Sequence, residues 1–125
     1  MNVVDSCGWL EYFADGPNAD FFAPAIEDEK KLIVPHVVVY EVTRCLVHLQ
    51  GEQAALKALV FLNKGRVVAL SAAGLSRAAL HAHRHHLAMA DAMIWQTAAE
   101  QSAVVYTQDA DFFDLPHVVY RPRLK

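Results

Sequence analysis

Long apolar runs are absent from this 125-residue chain. The nearest approach, Leu32–Tyr40, is interrupted by Pro35 and His36, far short of the ~20 apolar residues of a membrane-spanning helix. Cysteine is scarce. Cys7 and Cys45 are the two in the chain, too isolated for a disulfide framework, and they read as free buried thiols in a reducing compartment. The opening Met-Asn-Val-Val-Asp has neither the basic segment nor the apolar core of a secretory signal. A soluble cytoplasmic protein without a membrane partner is therefore expected. Positive charge is also in short supply: 11 Lys and Arg against 14 Asp and Glu leave a formal net charge of −3. No global basic field exists to gather nucleic acid, so such a substrate needs a local basic patch or metal ions. Repeats and low-complexity linkers are missing as well. What remains, 54% apolar and 20% charged residues, suits one compact domain over residues 1–125 with a real core.

Short uncharged runs alternate with helical periodicity along the chain. Asn2–Val4 is a strand ending on Asp5. Ser6 is placed to cap a helix carrying Trp9, Leu10 and Phe13, which stops at Asp15-Gly16-Pro17. A second helix is expected from Asn18 to Lys30, with Phe21, Phe22, Ala25 and Ile26 on one face. Leu32–Val34 is the second strand. Pro35 suits the first turn of a helix that runs to Gly51; a longer strand from Leu32 to Tyr40 is the alternative, given the β-branched content. Glu52–Asn63 is an amphipathic helix closed by Lys64-Gly65. Arg66–Leu70 is the third strand, and Ser71 caps a helix that frays into the His81–His86 segment. Ala90–Gln101 is helical, Ala103–Tyr106 is the fourth strand, and His117–Tyr120 the fifth. The basic tail, residues 121–125, is expected to fray. This alternation implies parallel βαβ units whose strands are covered on both faces.

In such a sheet, ligands sit outside the carboxyl ends of the strands. Asp5 follows the first strand, Asp109 follows the fourth by two residues, and Glu41 and Asp91 lie near the starts of helices that begin on that same edge. Four acids then share one rim, provided strands one and four are neighbours. Carboxylates so gathered repel one another and are held protonated unless a cation is present. Hard ions such as Mg²⁺ or Mn²⁺ resolve the conflict through oxygen ligands, and they turn an acidic pocket into one that attracts phosphate.

The set Val3-Val4-Asp5-Ser6, Tyr40-Glu41-Val42, Asp91-Ala92-Met93-Ile94 and Thr107-Gln108-Asp109-Ala110-Asp111-Phe112 resembles the PIN-domain family, and within it the VapC-type toxins of toxin–antitoxin pairs. The resemblance spans essentially the whole chain and rests on four weak motifs in order. It implies a three-layer α/β/α fold with a five-stranded parallel sheet of order 3-2-1-4-5. It implies a Mg²⁺- or Mn²⁺-dependent endoribonuclease, an RNA substrate, a homodimer, and inhibition by a small cognate antitoxin. Asp5, Glu41, Asp91 and Asp109 match the family's acidic positions, Asp111 a peripheral one, and Ser6 and Thr107 the hydroxyls that support the acids. Gly8 stands where larger residues are common.

Plainer readings exist for each residue. Asp5 and Asp91 are both competent helix N-caps. Glu41 can pair with Arg44 at i+3, worth about 0.3–0.5 kcal/mol. Asp109 and Asp111 suit a turn. His81 and His85, four apart, have a spacing compatible with zinc, while Arg84 and His86, just ahead of the acid rim, can hold an RNA phosphate. Trp9, Tyr12, Phe13, Phe21 and Phe22 suit core plus dimer surface, or a base-stacking platform. At the level of function, a PIN-like binding scaffold without turnover is the alternative. A receiver-like phosphoacceptor domain fits less well, because Arg121-Pro122-Arg123 stands where a Lys is needed.

Overall fold

A computed structural model describes residues 1–124. Its strands are β1 (Asn2–Val4), β2 (Leu32–Pro35), β3 (Arg66–Val68), β4 (Val104–Thr107) and β5 (Val118–Tyr120). They form one sheet of order β3-β2-β1-β4-β5, parallel throughout. Six helices connect them and cover both faces: α1 (Ser6–Phe13), α2 (Ala19–Glu27), α3 (His36–Gln50), α4 (Glu52–Leu62), α5 (Ala72–His85) and α6 (Met89–Glu100). The expected strand order and layering are observed. Val3, Val4, Trp9, Phe22, Ile33, Val38 and Val105 are wholly buried, each large side chain contributing about 1.5–3 kcal/mol of burial. The edge strands depart from the expected double cover: Arg66 and Val67 of β3 and Val119 of β5 are exposed.

Several boundaries differ from the sequence expectation for identifiable reasons. Asp5, not Ser6, caps α1 by accepting from the Gly8 N–H at 2.9 Å. Helix α2 ends at Glu27 rather than Lys30, because the polar run after Ile26 has nothing to bury and closes instead as a turn, Lys31 N–H donating to the Asp28 carbonyl at 3.0 Å. The longer strand through Tyr40 does not form. Pro35 ends β2 and is the N-cap position of α3 rather than part of its first turn. The β-branched Val38 and Val42 are helical because their burial against the core outweighs a small propensity cost. Nor does the His-rich segment fray: α5 continues to His85 and closes on His86, whose φ of 56° is left-handed.

Two contacts correct the view of the tail. The Arg121 N–H donates to the Thr107 carbonyl at 3.1 Å, and its guanidinium meets Asp20 at 3.3 Å. The Pro122 carbonyl accepts from the buried Asn18 amide at 3.0 Å. Arg121 and Pro122 are thus tied to the body of the protein; Lys125 lies outside the described residues.

Gly8 has a packing reason to lack a side chain. A Cβ there would come within 2.6 Å of both the Phe22 ring and Val4 Cγ1. Gly8→Ala gains at most about 1 kcal/mol of helix propensity against about 1–3 kcal/mol of overpacking. We expect a net loss of stability, read as a lower urea midpoint; a midpoint at or above wild type would show that Phe22 yields at no cost.

Candidate functional site

Parallel pairing sets Val4 of β1 opposite Tyr106 of β4, so the chains leave the sheet together at Asp5 and Thr107. Thr107, wholly buried, donates its hydroxyl to Asp5 Oδ2 at 2.5 Å. The same oxygen of Thr107 accepts the Asp109 N–H at 2.9 Å. One hydroxyl therefore fixes both the acid after β1 and the backbone that carries the acid after β4. Asp109 then accepts the Asp111 N–H at 2.9 Å and opens a short 3₁₀ turn, Ala110–Phe112, anchored by wholly buried Phe112. Across the rim, Ser6 donates to Glu41 Oε1 at 2.5 Å. That contact holds Glu41, and no ion pair to Arg44 forms among the described residues.

Asp91 lies in the first turn of α6, whose N-cap is Ala88 without a side-chain bond. Its carboxylate is thus not consumed by capping. Asp91, Asp109 and Asp111 each offer a carboxylate oxygen, and the three oxygens lie within 4.8 Å of one another. Asp5 and Glu41 stand outside that group, yet both press on Asp91 electrostatically. Burial first, then the charges of Asp109, Asp5, Glu41 and Asp111, raise the Asp91 carboxyl to about 7. Asp5, 3% exposed, is raised to about 6 by burial; donors from Thr107, Cys7 and Gly8 pull it back, and Asp109 pushes it up. All five acids expected from the sequence therefore act on one locality. Asp111, expected at its periphery, is one of the three whose oxygens are mutually close, whereas Asp5 is enclosed by its donors.

Among the described residues no Lys or Arg forms an ion pair with any of the five. A half-buried group of carboxylates without a cation, two of them pushed toward neutrality, fits a hard divalent ion with oxygen ligands.

Cys7 belongs to this locality and was not foreseen beyond being a buried thiol. Its Sγ donates to both Asp5 oxygens, at 3.0 and 3.1 Å, and burial beside that carboxylate pushes the thiol pKa up. The signal in the sequence is its place two residues after a capping Asp, in the first helical turn. The histidines have another setting. His81 lies edge-on to Trp95 at 4.5 Å, and His117 stacks on Trp95 at 4.8 Å. No three-ligand group arises from them among the described residues, so the zinc spacing finds no third partner. Arg84 and His86 are exposed at the end of α5, just ahead of α6.

Protons bind Asp5 and Asp91 more tightly in the folded chain than at the ordinary value of 3.8. Their stabilising effect is complete below about pH 4 and is lost as pH rises through about 6 and 7. His81 and His117, pushed down by burial, act with the opposite sign and lose stability as pH falls. Asp91→Asn isolates one acid. In EDTA, the variant's melting temperature minus that of wild type should climb from about pH 4 to above about pH 7; a flat difference would mean that folding does not perturb Asp91.

The comparisons agree with this architecture. The sequence profile of the PIN domain matches residues 3–118. No curated protein matched the sequence. Among solved structures, VapC20 of Mycobacterium tuberculosis, described as a sarcin–ricin loop cleaving toxin, superimposes with a TM-score of 0.80 at 20% identity, over 98% of this chain and 100% of its own. A toxin–antitoxin complex from Klebsiella pneumoniae gives 0.79 at 20% identity, over 95% and 96%. FitAcB from Neisseria gonorrhoeae gives 0.72 at 23% identity, over 98% of each. With the profile spanning nearly the whole chain and the sheet order in agreement, the chain belongs to the PIN-domain family.

Proposed function

We propose that the protein is a Mg²⁺- or Mn²⁺-dependent endoribonuclease and the toxin of a toxin–antitoxin pair. The observation that carries this reading is the convergence of Asp91, Asp109 and Asp111 within 4.8 Å, with Asp5 and Glu41 acting on the same locality. The toxins and toxin–antitoxin complexes among the similar structures support it. Asp91, Asp109 and Asp111 would hold the ion, with Asp5 and Glu41 as the remaining acids of the site. A divalent ion supplies, when bound, a Lewis acid for the phosphodiester and a low-pKa water as nucleophile. The protein's own work is positioning. Thr107 fixes Asp5 and the Asp109 backbone, Ser6 fixes Glu41, and Phe112 anchors the turn that carries Asp111. No side chain needs to act as nucleophile. Arg84 and His86 are candidate phosphate contacts.

Cleavage of structured RNAs should require Mg²⁺ or Mn²⁺ and vanish in EDTA. Asp91→Asn and Asp109→Asn should fall to background while remaining folded. Thr107→Val should lose about 10–100-fold in activity or metal affinity, as for other residues that orient ligands. Undiminished cleavage in EDTA, or by Asp91→Asn, would end the metal mechanism. Metal binding without cleavage of any RNA would favour the scaffold reading.

The remaining partners in this reading are a small antitoxin and a second copy of the chain, with the cytoplasm as the compartment. No helix among the described residues is long and apolar enough to cross a membrane. Two cavities of about 190 and 220 Å³ share Phe13, Leu46 and Gln50. They form a groove between α1, α3 and α4 that extends to Phe61 at one end and to Cys7 and Arg123 at the other. We assign the antitoxin's apolar segment to this groove, with a cationic side chain reaching the acids beyond Cys7. Co-expression with the adjacent open reading frame should give a co-purifying complex that loses cleavage, and Phe13→Asp with Phe61→Asp should release the partner. A complex unaffected by both changes would move the antitoxin elsewhere.

A further inference from the structure

Beside the acids stands an aromatic pair that belongs to neither the core nor the carboxylate group. In the turn after Asp109, Phe112 is wholly buried and the next residue, Phe113, is 64% exposed. The Phe113 N–H donates to the Ala110 carbonyl at 3.0 Å, and Asp114 beyond it is left-handed, with φ 75°. The root of the exposed ring is therefore set by the same 3₁₀ turn that carries Asp111. The ring itself meets Tyr120 edge to face, with centroids 5.3 Å apart at 60°. Tyr120 is half-buried, ends β5 and pairs with Thr107 of β4. The pair thus stands level with the hydroxyl that organises the acids. Asp111 precedes Phe113 by two residues, a separation of at most about 7 Å along the chain.

A single exposed apolar side chain needs no explanation by itself. Three features set this one apart. Its attitude is fixed from behind by Tyr120, so a flat face is held ready rather than left to rotate. It is continuous with the site, since Asp111 is one of the three acids whose oxygens are mutually close. And it is narrow: Asp111 and Asp114, both exposed, border it in sequence. A protein partner broad enough to cover the ring would also have to take those carboxylates out of water, which is costly without cations to meet them. A planar base covers the face of the ring and leaves the carboxylates open.

We propose that Phe113, backed by Tyr120, stacks one unpaired nucleobase of the RNA beside the carboxylate site. This rests on the nuclease reading above and adds a hold on the substrate that the acids and their ion cannot supply. In a chain of net charge −3, phosphate is attracted only where a cation sits, whereas stacking needs no charge on the protein. Every base has a π-face, so the platform is tolerant of sequence. A base inside a duplex is covered on both faces by its neighbours, so the platform selects unpaired segments and splayed-out bases. Phe112 and Phe113 then divide two tasks between neighbouring positions: the buried ring anchors the turn, and the exposed ring receives the base.

The test uses the full chain with Asp91→Asn as the uncut parent, Mg²⁺ present, and a short fluorescein-labelled single-stranded oligoribonucleotide of mixed sequence as probe. Binding is followed by anisotropy. Phe113→Ala and Phe113→Leu should each weaken binding about tenfold, while Phe113→Tyr and Phe113→Trp keep it, because a base stacks on a π-face and not on an aliphatic chain. Replacing the probe's bases one at a time by abasic sites should find a position that weakens binding to the parent and costs Phe113→Leu nothing. Phe113 is largely exposed, so melting temperatures should stay near the parent's, and Phe113→Tyr controls for the contact with Tyr120. Equal affinities for the parent, Phe113→Ala and Phe113→Leu, with wild type still cutting RNA, would overturn the platform and leave the nuclease reading intact. If wild type neither binds nor cuts RNA, both fall together. Should Phe113→Ala keep its RNA affinity but lose the co-expressed antitoxin, or change oligomeric state on size exclusion, the ring would belong to a protein partner and the proposal would be overturned.

Discussion

The hydroxyl of Thr107 is held between the carboxylate of Asp5 and the backbone N–H of Asp109, and the acidic rim depends on that one group. It exists where it does because β1 lies beside β4 in parallel, with Val4 opposite Tyr106. A slip of one residue in that register would turn Thr107 away from Asp5 and reverse every side chain of β4. The cores of β1 and β4, wholly buried at Val3, Val4 and Val105, oppose such a slip. Apolar packing thus sets the position of a polar bond, and the polar bond sets the position of charges.

Those charges are gathered at a cost. Asp5 is enclosed and Asp91 half-buried, and both are pushed toward the neutral form. Three donors surround Asp5: the Gly8 N–H, the Thr107 hydroxyl and the Cys7 thiol, whose sulfur lies within reach of both carboxylate oxygens. They offset part of its desolvation and leave it the best supported of the acids. Asp91 has no such donors among the described residues, and four carboxylates act on it. Asp91 is therefore where a cation relieves the most strain, and it shares the mutually close oxygens with Asp109 and Asp111. Asp5 organises the site from behind; Asp91 faces the repulsion directly.

Around this rim the chain divides its remaining chemistry. His81 and His85 of α5, with His117, pack around Trp95, whose indole N–H reaches the Pro116 carbonyl at 3.1 Å. That cluster ties α5 and α6 to the loop before β5 and explains why a histidine-rich segment stays helical. Arg44, three residues after Glu41 on α3, makes no ion pair among the described residues. Arg121 and Arg77 are already committed to Asp20 and Glu100.

Strand and helix order was legible in the residues because periodicity is local: uncharged triplets around Val3, Ile33 and Val105, each with two β-branched residues, and apolar spacing through α4 and α6, hold wherever the chain is placed. The acids at element ends were legible for the same reason, and family resemblance tied Asp5, Glu41, Asp91 and Asp109 together. Local signals misled where two residues competed for one role. Ser6 and Asp5 are both good caps, and Asp5 takes the position because Glu41 draws Ser6 across the rim. Polar content at His81–His86 suggested fraying, and Trp95 overrules it. What only the tertiary structure decided is which oxygens meet. Thr107 and Asp5 are 102 positions apart, and their distance follows from strand order, register and the packing beneath them, none of which is a property of any short stretch of sequence.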